Sequence, residues 1–224
     1  MRAPSMLLAL ALAACGSDAG APPDVEPARL TLVSVDTIPD PTGQLLGRFS
    51  SALITRDSTI LVPVQYANHI VQLDADGRLM RRIGRHGSGP GEFSYSPQDL
   101  AEWGDSLVFV NLSTRMVSFF HRADGRYLDR HVVGGFPYSL AATPAQLFVG
   151  AISVEARTAA GVFARGDSVM RQIVPIPEAL AESPLALSRW PVSVVAAVQD
   201  TVFVAFVVSN WVQEATATGK SIGS

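Results

Sequence analysis

The sequence is poor in the residues that build disulfides and metal sites. It has one cysteine, Cys15, so no disulfide can form within the chain. It has four histidines, and their spacings match no zinc pattern such as His-x-x-x-His. We therefore expect neither a bound metal ion nor a cofactor.

Positive charge is also scarce. Lysine and arginine together number 17, of which Lys220 is the single lysine, against 20 aspartates and glutamates. The formal net charge is −3 and the isoelectric point is near 5.8. Such a chain has no basic field to attract phosphates, so nucleic acid is not expected as a partner. Hydrophobic residues make up 48% of the chain, which is typical of a folded protein with a sizeable core.

The apolar run near the N-terminus is short. It covers nine residues, 6–14, and follows one positive charge at Arg2. Nine residues cannot span roughly 30 Å of hydrocarbon, so residues 1–14 are interpreted as a signal peptide. The ending Leu12-Ala13-Ala14-Cys15 resembles the lipobox of bacterial lipoproteins, which implies that Cys15 becomes the lipidated first residue. The alternative is an ordinary secretory signal with an incidental cysteine.

A tether is predicted after the signal peptide. Residues 15–28 are small, polar and rich in proline, the composition of an extended linker, and the folded part is expected at 29–224. The several acyl chains of a lipoprotein would attach this protein stably to a membrane through Cys15. Gly16 stands where an aspartate would resemble an inner-membrane retention signal. We therefore expect a bacterial envelope protein at the outer membrane or the periplasmic face rather than at the inner membrane.

Two copies of one unit flank a glycine-rich join at residues 84–93. Asp57 and Asp105, each followed by a serine and an aliphatic run, are 48 residues apart. The pairs Asp76-Gly77 and Asp124-Gly125 are separated by the same 48 residues. A fixed period of this size is typical of propellers and solenoids. An Asp-Gly pair between alternating apolar runs also indicates a β-hairpin.

Each unit divides into four short strands, as a propeller blade does. The first two copies cover 49–83 and 97–133, a weaker third begins at Tyr138, and a fourth begins at Val192. The apolar run 200–209 is typical of a strand covered on both faces. Because the tail after Trp211 is polar, the last blade is expected to lack its outer half. An extra strand is predicted at 30–38 and one helical turn within 176–188.

The join followed by Pro97, the Asp-Ser-aliphatic second strands and the Asp-Gly hairpins together resemble the NHL-like six-bladed β-propellers of bacterial lipoproteins. The residues that enter the third strand are Asn68-His69-Ile70 in the first copy and Thr114-Arg115-Met116 in the second. The resemblance implies an all-β propeller of four-stranded antiparallel blades. Six blades need roughly 250 residues, so residues 29–224 should hold about four of the six blades. The alternative is a complete propeller of four blades, a type that also exists. A ring without all its blades would expose apolar sheet faces.

The join matches no motif that binds phosphate or activates a serine. Pro90 and Glu92 stand where a phosphate loop or a dinucleotide fingerprint requires lysine and glycine. Ser88 lacks the Gly-x-Ser-x-Gly context of a nucleophile. The Asp74-Ala75-Asp76-Gly77 segment lacks the downstream glutamate of a calcium loop. No catalytic residue is predicted.

The candidate ligand-binding residues lie in predicted loops. Function in a propeller usually resides in loops on one face, and the loops between second and third strands should share a face with the join. The side chains there, suited to a polar or anionic ligand, are Tyr66, Asn68, His69, Arg85, His86 and Arg115. We expect a binding or scaffold module for an envelope protein, peptide or saccharide. A hydrolase or lyase with a site at the channel mouth and a non-functional truncated fragment are the alternatives.

Overall fold

A computed structural model describes residues 40, 51–64, 67–95, 97–153, 155–178, 193–198, 201–206, 212–216 and 221–223. These residues all belong to one compact unit, 38–224. Several predicted features lie outside the described residues. They are the signal peptide, the tether, the strand 30–38, most of the helical segment 176–188, and Tyr66. Within the described ranges, no helix has the length and apolar character needed to cross a membrane.

Sixteen of the eighteen described strands form four sheets, each of four consecutive antiparallel strands. Blade I consists of Leu53–Ile54 (β1), Ile60–Val64 (β2), His69–Leu73 (β3) and Leu79–Ile83 (β4). The join contributes a short parallel pair, Arg85–His86 (β5) and Glu92–Phe93 (β6). Blade II consists of Asp99–Trp103 (β7), Ser106–Asn111 (β8), Met116–His121 (β9) and Tyr127–Val132 (β10). Blade III consists of Phe136–Ala142 (β11), Gln146–Ser153 (β12), Thr158–Ala164 (β13) and Arg171–Pro175 (β14). Blade IV consists of Ser193–Val198 (β15), Thr201–Phe206 (β16), Val212–Thr216 (β17) and Ser221–Gly223 (β18).

The tail of the chain completes blade IV, so the prediction that this blade lacks its outer half is wrong. Strand β17 pairs with β16, with Gln213 opposite Val204, and β18 pairs with β17. Outer strands tolerate polar residues because they lie at the rim of the blade. Strand β10 is an example, since its Asp129 and Arg130 are exposed. A polar sequence after residue 211 is therefore compatible with the outer strands of a blade.

Apolar clusters between consecutive blades hold the fold together. Strand β8 contributes side chains to two clusters, one on each of its faces. Leu107 and Phe109 pack with blade I, whereas Val108 and Val110 pack with blade III. A further cluster joins blade III to blade IV. Burying one large apolar side chain fully contributes about 1.5–3 kcal/mol. The first strands of blades II, III and IV contact one another, which makes them the innermost strands. The four sheets thus pack face to face around one axis, as predicted for a propeller.

Blade IV is covered on one face. Its Val202 and Val204 are buried in the cluster shared with blade III, whereas Phe203 between them is partly exposed. On β15 the exposed residues are Val194, Ala196 and Val198. The run 200–209 was predicted to be covered on both faces, and the described strand β16 departs from that prediction. The expected exposure of an apolar sheet face is found here.

The predicted Asp-Gly hairpins are present in blades I and II. In blade I, a carboxylate oxygen of Asp74 accepts the backbone N–H groups of Asp76 and Arg78 at 3.0 and 2.8 Å. In blade II, Asp124 accepts the N–H of Arg126 at 2.9 Å. These aspartates satisfy backbone N–H groups of the two turns, Asp74 from a position two residues before the repeated Asp-Gly pair and Asp124 from within that pair.

The loops that enter the third strands place equivalent residues in a left-handed conformation. The φ angles are +53° at Asn68, +54° at Arg115 and +52° at Arg157, each directly before the third strand of its blade. Asn68 is therefore equivalent to Arg115, not to Thr114 as the sequence comparison placed it. A left-handed asparagine is common, whereas a left-handed arginine is strained.

Polar side chains at the start of the innermost strands connect neighbouring blades. The carboxylate of Asp99 on β7 accepts the backbone N–H of Leu140 on β11 at 2.8 Å. The hydroxyl of Ser139 on β11 donates to the carbonyl of Ser193 at 2.8 Å and accepts the N–H of Val195 at 3.0 Å, both on β15. The first strand of each blade is an edge strand, so some of its backbone groups have no partner in their own sheet. These bonds satisfy such groups from the neighbouring blade and thereby fix the distance between the blades.

Burial sets the ionisation of Asp99. Burial raises the pKa of this carboxyl, while the N–H of Leu140 and the hydroxyl of Ser51 act in the opposite direction. Because the folded-state pKa is raised, the native protein holds the proton more tightly than the unfolded chain. The resulting stabilisation is complete below the ordinary Asp pKa of about 3.9 and is lost as the pH rises through the raised value.

We predict that Asp99→Asn, which keeps an oxygen for the N–H of Leu140 but cannot ionise, gains stability relative to the wild type as the pH rises from 3 to 7. Urea unfolding at several pH values measures this difference. Asp129→Asn, at an exposed site, is the control and should show no such trend. A stability difference for Asp99→Asn that stays constant across this pH range would contradict the prediction.

Candidate functional site

One face of the propeller carries the predicted site. We call it the loop face, formed by the join 84–93, the two residues 94–95 that follow it, and the loops 67–68, 112–115 and 155–157. At one end of the join, Nδ2 of Asn68 donates a hydrogen bond to Nδ1 of His86 at 2.5 Å. At the other end, the hydroxyls of Ser94 and Ser113 lie 3.1 Å apart. The join therefore bridges the loops of blades I and II on this face.

Glu92 organises the join. Its carboxylate accepts the N–H of Gly89 at 2.9 Å and lies 2.8 Å from Nε of Arg85. The Gly89 N–H chiefly, and then the Arg85 guanidinium, hold the pKa of Glu92 below its usual value. The predicted ligand-binding residue Arg85 is thus exposed but engaged in an ion pair within the join.

Phe93 anchors the join between blades I and II. It is buried in the cluster between these blades, with its ring 6.2 Å from that of Phe109 and 5.8 Å from that of Phe120. A Cβ atom at Gly84 would collide with the Phe93 ring, so this close approach requires glycine. The join is therefore a packed element whose polar residues are held at fixed positions.

Arg115 lies beside the exposed aromatic side chain of Phe136. Its guanidinium is 4.2 Å from the ring centroid of Phe136, in cation–π contact. Phe136 is 43% exposed and Tyr95 is 47% exposed. The carbonyl of Tyr95 accepts a hydrogen bond from Nδ2 of Asn111 at 3.0 Å, which holds Tyr95 beside the loop that carries Arg115. We call Tyr95, Arg115 and Phe136 the aromatic patch.

His69 contributes less to the loop face than predicted. Its Nδ1 donates to the carbonyl of Ala67 at 3.0 Å. Its Nε2 is buried and has no hydrogen-bond partner among the residues that the structure describes. The imidazole therefore has a structural position at the start of β3. The structure brings Asn68 and His86 together and places Arg115 apart from them, next to Phe136.

Sequence reasoning missed two groups of residues, and the first group is on the loop face. Arg157 is exposed and occupies the position equivalent to Arg115 in blade III. Nothing in its local sequence resembles the Asn-Gly type signal of a left-handed residue. The aromatic patch was missed for a similar reason, because Tyr95 and Phe136 each stand outside the predicted loops.

The second missed group is on the opposite face. We call it the turn face, formed by the turns 55–59, 104–105, 143–145 and 165–170. There Nε of Arg56 lies 2.5 Å from Oε1 of Glu102, and Arg122 contacts Asp57 at 2.7 Å. A hydrogen bond from Thr55 chiefly, and then the charge of Arg122, lower the pKa of Asp57. The 48-residue repeat aligns Arg56 with Gly104 and could have indicated this shared face.

The described residues offer no recognisable metal centre. Within those ranges, no three His, Cys, Asp or Glu side chains lie close enough to hold a metal ion. The ring of His131 instead packs 5.0 Å from Phe119 and 5.7 Å from Phe163, between blades II and III. His121 lies 3.0 Å from the carboxylate of Asp124 in the blade II hairpin.

Comparison with known proteins supports the fold. The sequence matches no protein-family profile and no curated protein. Similar solved structures include catalytically inactive H270A virginiamycin B lyase from Staphylococcus aureus, with a TM-score of 0.58 and 14% identity over 77% of this chain and 54% of that chain. The WD40 β-propeller domain of Doa1 has a TM-score of 0.54 and 12% identity over 74% of this chain and 50% of that chain.

A designed protein is similar over nearly its whole length. The computationally designed Ika4 protein has a TM-score of 0.54 and 11% identity over 76% of this chain and 91% of its own chain. By contrast, this chain spans about half the length of the lyase and WD40 chains. At these identities the similarity shows the fold alone. The chain has a β-propeller fold with four described blades.

We predict that Glu92→Gln loosens the join, because the neutral amide binds the Gly89 N–H and Arg85 more weakly than the carboxylate does. Amide hydrogen exchange of residues 84–93 should be several-fold faster in this variant at pH 7. Since the folded-state pKa of Glu92 is lowered, its stabilisation is complete above the ordinary Glu pKa and is lost as the pH falls through the lowered value.

The control for this prediction is Glu155→Gln, an exposed carboxylate on the loop face outside the join. It should leave exchange in the join unchanged. Protection of the wild-type join, corrected for intrinsic exchange, should approach that of Glu92→Gln only as the pH falls below the ordinary Glu pKa. Equal protection of the two proteins at pH 7 would show that the Glu92 charge does not hold the join.

Proposed function

We propose that this chain is a lipid-anchored β-propeller module of the bacterial cell envelope that binds a partner protein through its loop face. The aromatic patch is the observation that carries the proposal. Phe136 exposes a large apolar surface beside the guanidinium of Arg115, and Tyr95, whose carbonyl is bonded to Asn111 before the Arg115 loop, exposes another. Aromatic residues and arginine are enriched at the energetic centres of protein interfaces. A partner with an apolar side chain and a carboxylate would complement this patch.

The rigidity of the loop face supports a binding role. The join is anchored by Phe93 in the core and by hydrogen bonds from Asn68 to His86 and between Ser94 and Ser113. A preformed surface loses less conformational entropy when a partner binds. Val132 at the end of β10 is also exposed, and it pairs with Met116, the residue after Arg115. The strained φ of Arg115 places a charged side chain at this site despite its conformational cost.

The sequence supports the anchor and the envelope location. The Leu12-Ala13-Ala14-Cys15 segment resembles a lipobox, and residues 15–28 have the composition of a tether. The resemblance of the join and hairpins to NHL-like propellers of bacterial lipoproteins agrees with this assignment. The tether would hold the propeller near the membrane while leaving the loop face accessible to an envelope protein.

We predict that a photo-crosslinking amino acid at position 136 forms a discrete protein adduct in the envelope of living cells. The adduct should weaken at least several-fold when Arg115→Ala is added, because the patch then loses its guanidinium. Val169, which is 76% exposed on the turn face, is the matched apolar control position. Loop-face binding would be contradicted by the absence of an adduct at position 136, or by a protein adduct at position 169 of equal yield. An adduct with saccharide alone would show that the partner is a saccharide and not a protein.

We predict that Cys15→Ser abolishes lipidation, because the hydroxyl cannot form the thioether that carries the diacylglyceryl group. Incorporation of a labelled fatty acid into the chain should be lost. The variant should move from the membrane fraction to the soluble envelope fraction or stay as an uncleaved precursor. Ser17→Ala in the tether is the control and should remain labelled. Labelling of Cys15→Ser at the wild-type level would overturn the proposed anchor.

A further inference from the structure

Two arginines of the loop face occupy equivalent positions in adjacent blades. Arg115 and Arg157 each directly precede the third strand of their blade. The carbonyl of Arg115 accepts the N–H of Val133 at 2.9 Å, and the carbonyl of Arg157 accepts the N–H of Ile176 at 2.8 Å. Each donor is the residue that directly follows the fourth strand of its blade. The same backbone hydrogen bond therefore fixes both arginines at the same point of the repeat.

Side-chain hydrogen bonds order the two loops that carry these arginines. In blade II, Oδ1 of Asn111 accepts the hydroxyl of Ser113 at 2.8 Å and the N–H of Thr114 at 3.3 Å. In blade III, the hydroxyl oxygen of Ser153 accepts the N–H of Ala156 at 3.1 Å. The backbone of each loop is thus set before a partner arrives, so binding costs mainly the ordering of the arginine side chains.

The two arginines give the loop face its positive charge. Both side chains are exposed, and among the residues that the structure describes neither guanidinium forms an ion pair. Arg85 and Glu92 of the join pair with each other. The loop face then carries two unpaired cations, Arg115 and Arg157, and one exposed carboxylate, Glu155. This balance favours an anionic partner although the whole chain has a formal net charge of −3.

An exposed aromatic ring connects the two cations. The guanidinium of Arg115 lies 4.2 Å from the ring centroid of Phe136. Phe136 stands opposite Ile152 on β12, one residue before that strand ends. The loop that follows β12 carries Arg157. The two arginines and the ring therefore belong to one stretch of the loop face, which crosses from blade II to blade III.

We propose that the partner binds the loop face through an acidic segment in which carboxylates flank an apolar side chain, with Arg157 as a second anchor beside Arg115. This inference rests on the proposed function and names the chemistry of its partner. Each guanidinium receives a carboxylate, which it can hold by two parallel hydrogen bonds. Phe136 receives the apolar side chain. A basic segment would meet two like charges here and only one carboxylate, Glu155.

Fluorescence anisotropy of a labelled peptide mixed with the full chain tests this inference. The probe is the peptide Glu-Glu-Leu-Glu-Glu, which has carboxylates on both sides of a leucine. The matched neutral peptide is Gln-Gln-Leu-Gln-Gln. We expect saturable binding of the acidic peptide with a Kd of about 1 mM or tighter, and binding of the neutral peptide that is weaker by about fivefold or more. Raising the salt from about 50 to about 500 mM should weaken binding of the acidic peptide, because the charges are exposed.

Variants of Arg157 locate the binding on this surface. Arg157→Gln should weaken binding of the acidic peptide about two- to fivefold, the range of one exposed ion pair. Arg157→Lys should lose less, because it keeps the charge without the planar fork. Arg82→Gln, at an exposed arginine on β4, is the matched control and should bind as the wild type does. Circular dichroism of each variant shows whether the blades remain folded.

Three results would overturn the inference. They are the absence of saturable binding of the acidic peptide, equal affinity for the neutral peptide, and wild-type affinity in Arg157→Gln. Photo-crosslinking at position 136 separates this inference from the proposed function, since Arg157→Gln should weaken the adduct there and Arg82→Gln should not. An adduct that Arg157→Gln leaves unchanged would overturn the inference while the proposed function stands. The absence of any adduct at position 136 would overturn the proposed function itself.

Discussion

Hydrogen bonds from polar side chains at the start of the innermost strands set the spacing of the blades. The hydroxyl of Ser51 reaches the carbonyl of Gln98, Asp99 reaches β11, and Ser139 reaches β15, so each blade is connected to the next near the axis. The apolar clusters supply most of the stabilising free energy. Apolar contacts are non-directional, so they alone would let one blade slide against the next, whereas these hydrogen bonds are directional and restrict that movement. This spacing sets the positions of the loops and turns on both faces of the propeller, because the loops and turns extend from the strands of these blades.

The repeat was predictable from sequence, and the completeness of its last copy was not. The 48-residue spacing of Asp57 and Asp105 and of the two Asp-Gly hairpins identified two blades whose strands agree with the structure within about two residues. Strands β17 and β18 were missed because rim strands lack the apolar alternation that marks an inner strand. The one-residue shift that pairs Asn68 with Arg115 was missed because the register depends on hydrogen bonds across strands, not on residue type.

The candidate sites were predictable only where the join and the adjacent loop of blade I carry them. The contact of Asn68 with His86 followed from placing the join beside that loop. The aromatic patch and the turn-face ion pairs combine residues from separate blades, and the ion pairs join positions tens of residues apart. A single sequence gives no direct signal for such contacts. The arginines involved, Arg56 and Arg122, are also typical of any solvated turn, so their type alone indicates no role.

The left-handed conformation at the entry to the third strands of blades I, II and III has a consequence for the stability of the loop face. Glycine adopts this backbone without strain, whereas a residue with a Cβ atom costs about 1–2 kcal/mol there. At Arg115 and Arg157 the chain has long cationic side chains at positions where glycine would be less strained. The loop face therefore presents these two arginines at a cost to the free energy of folding.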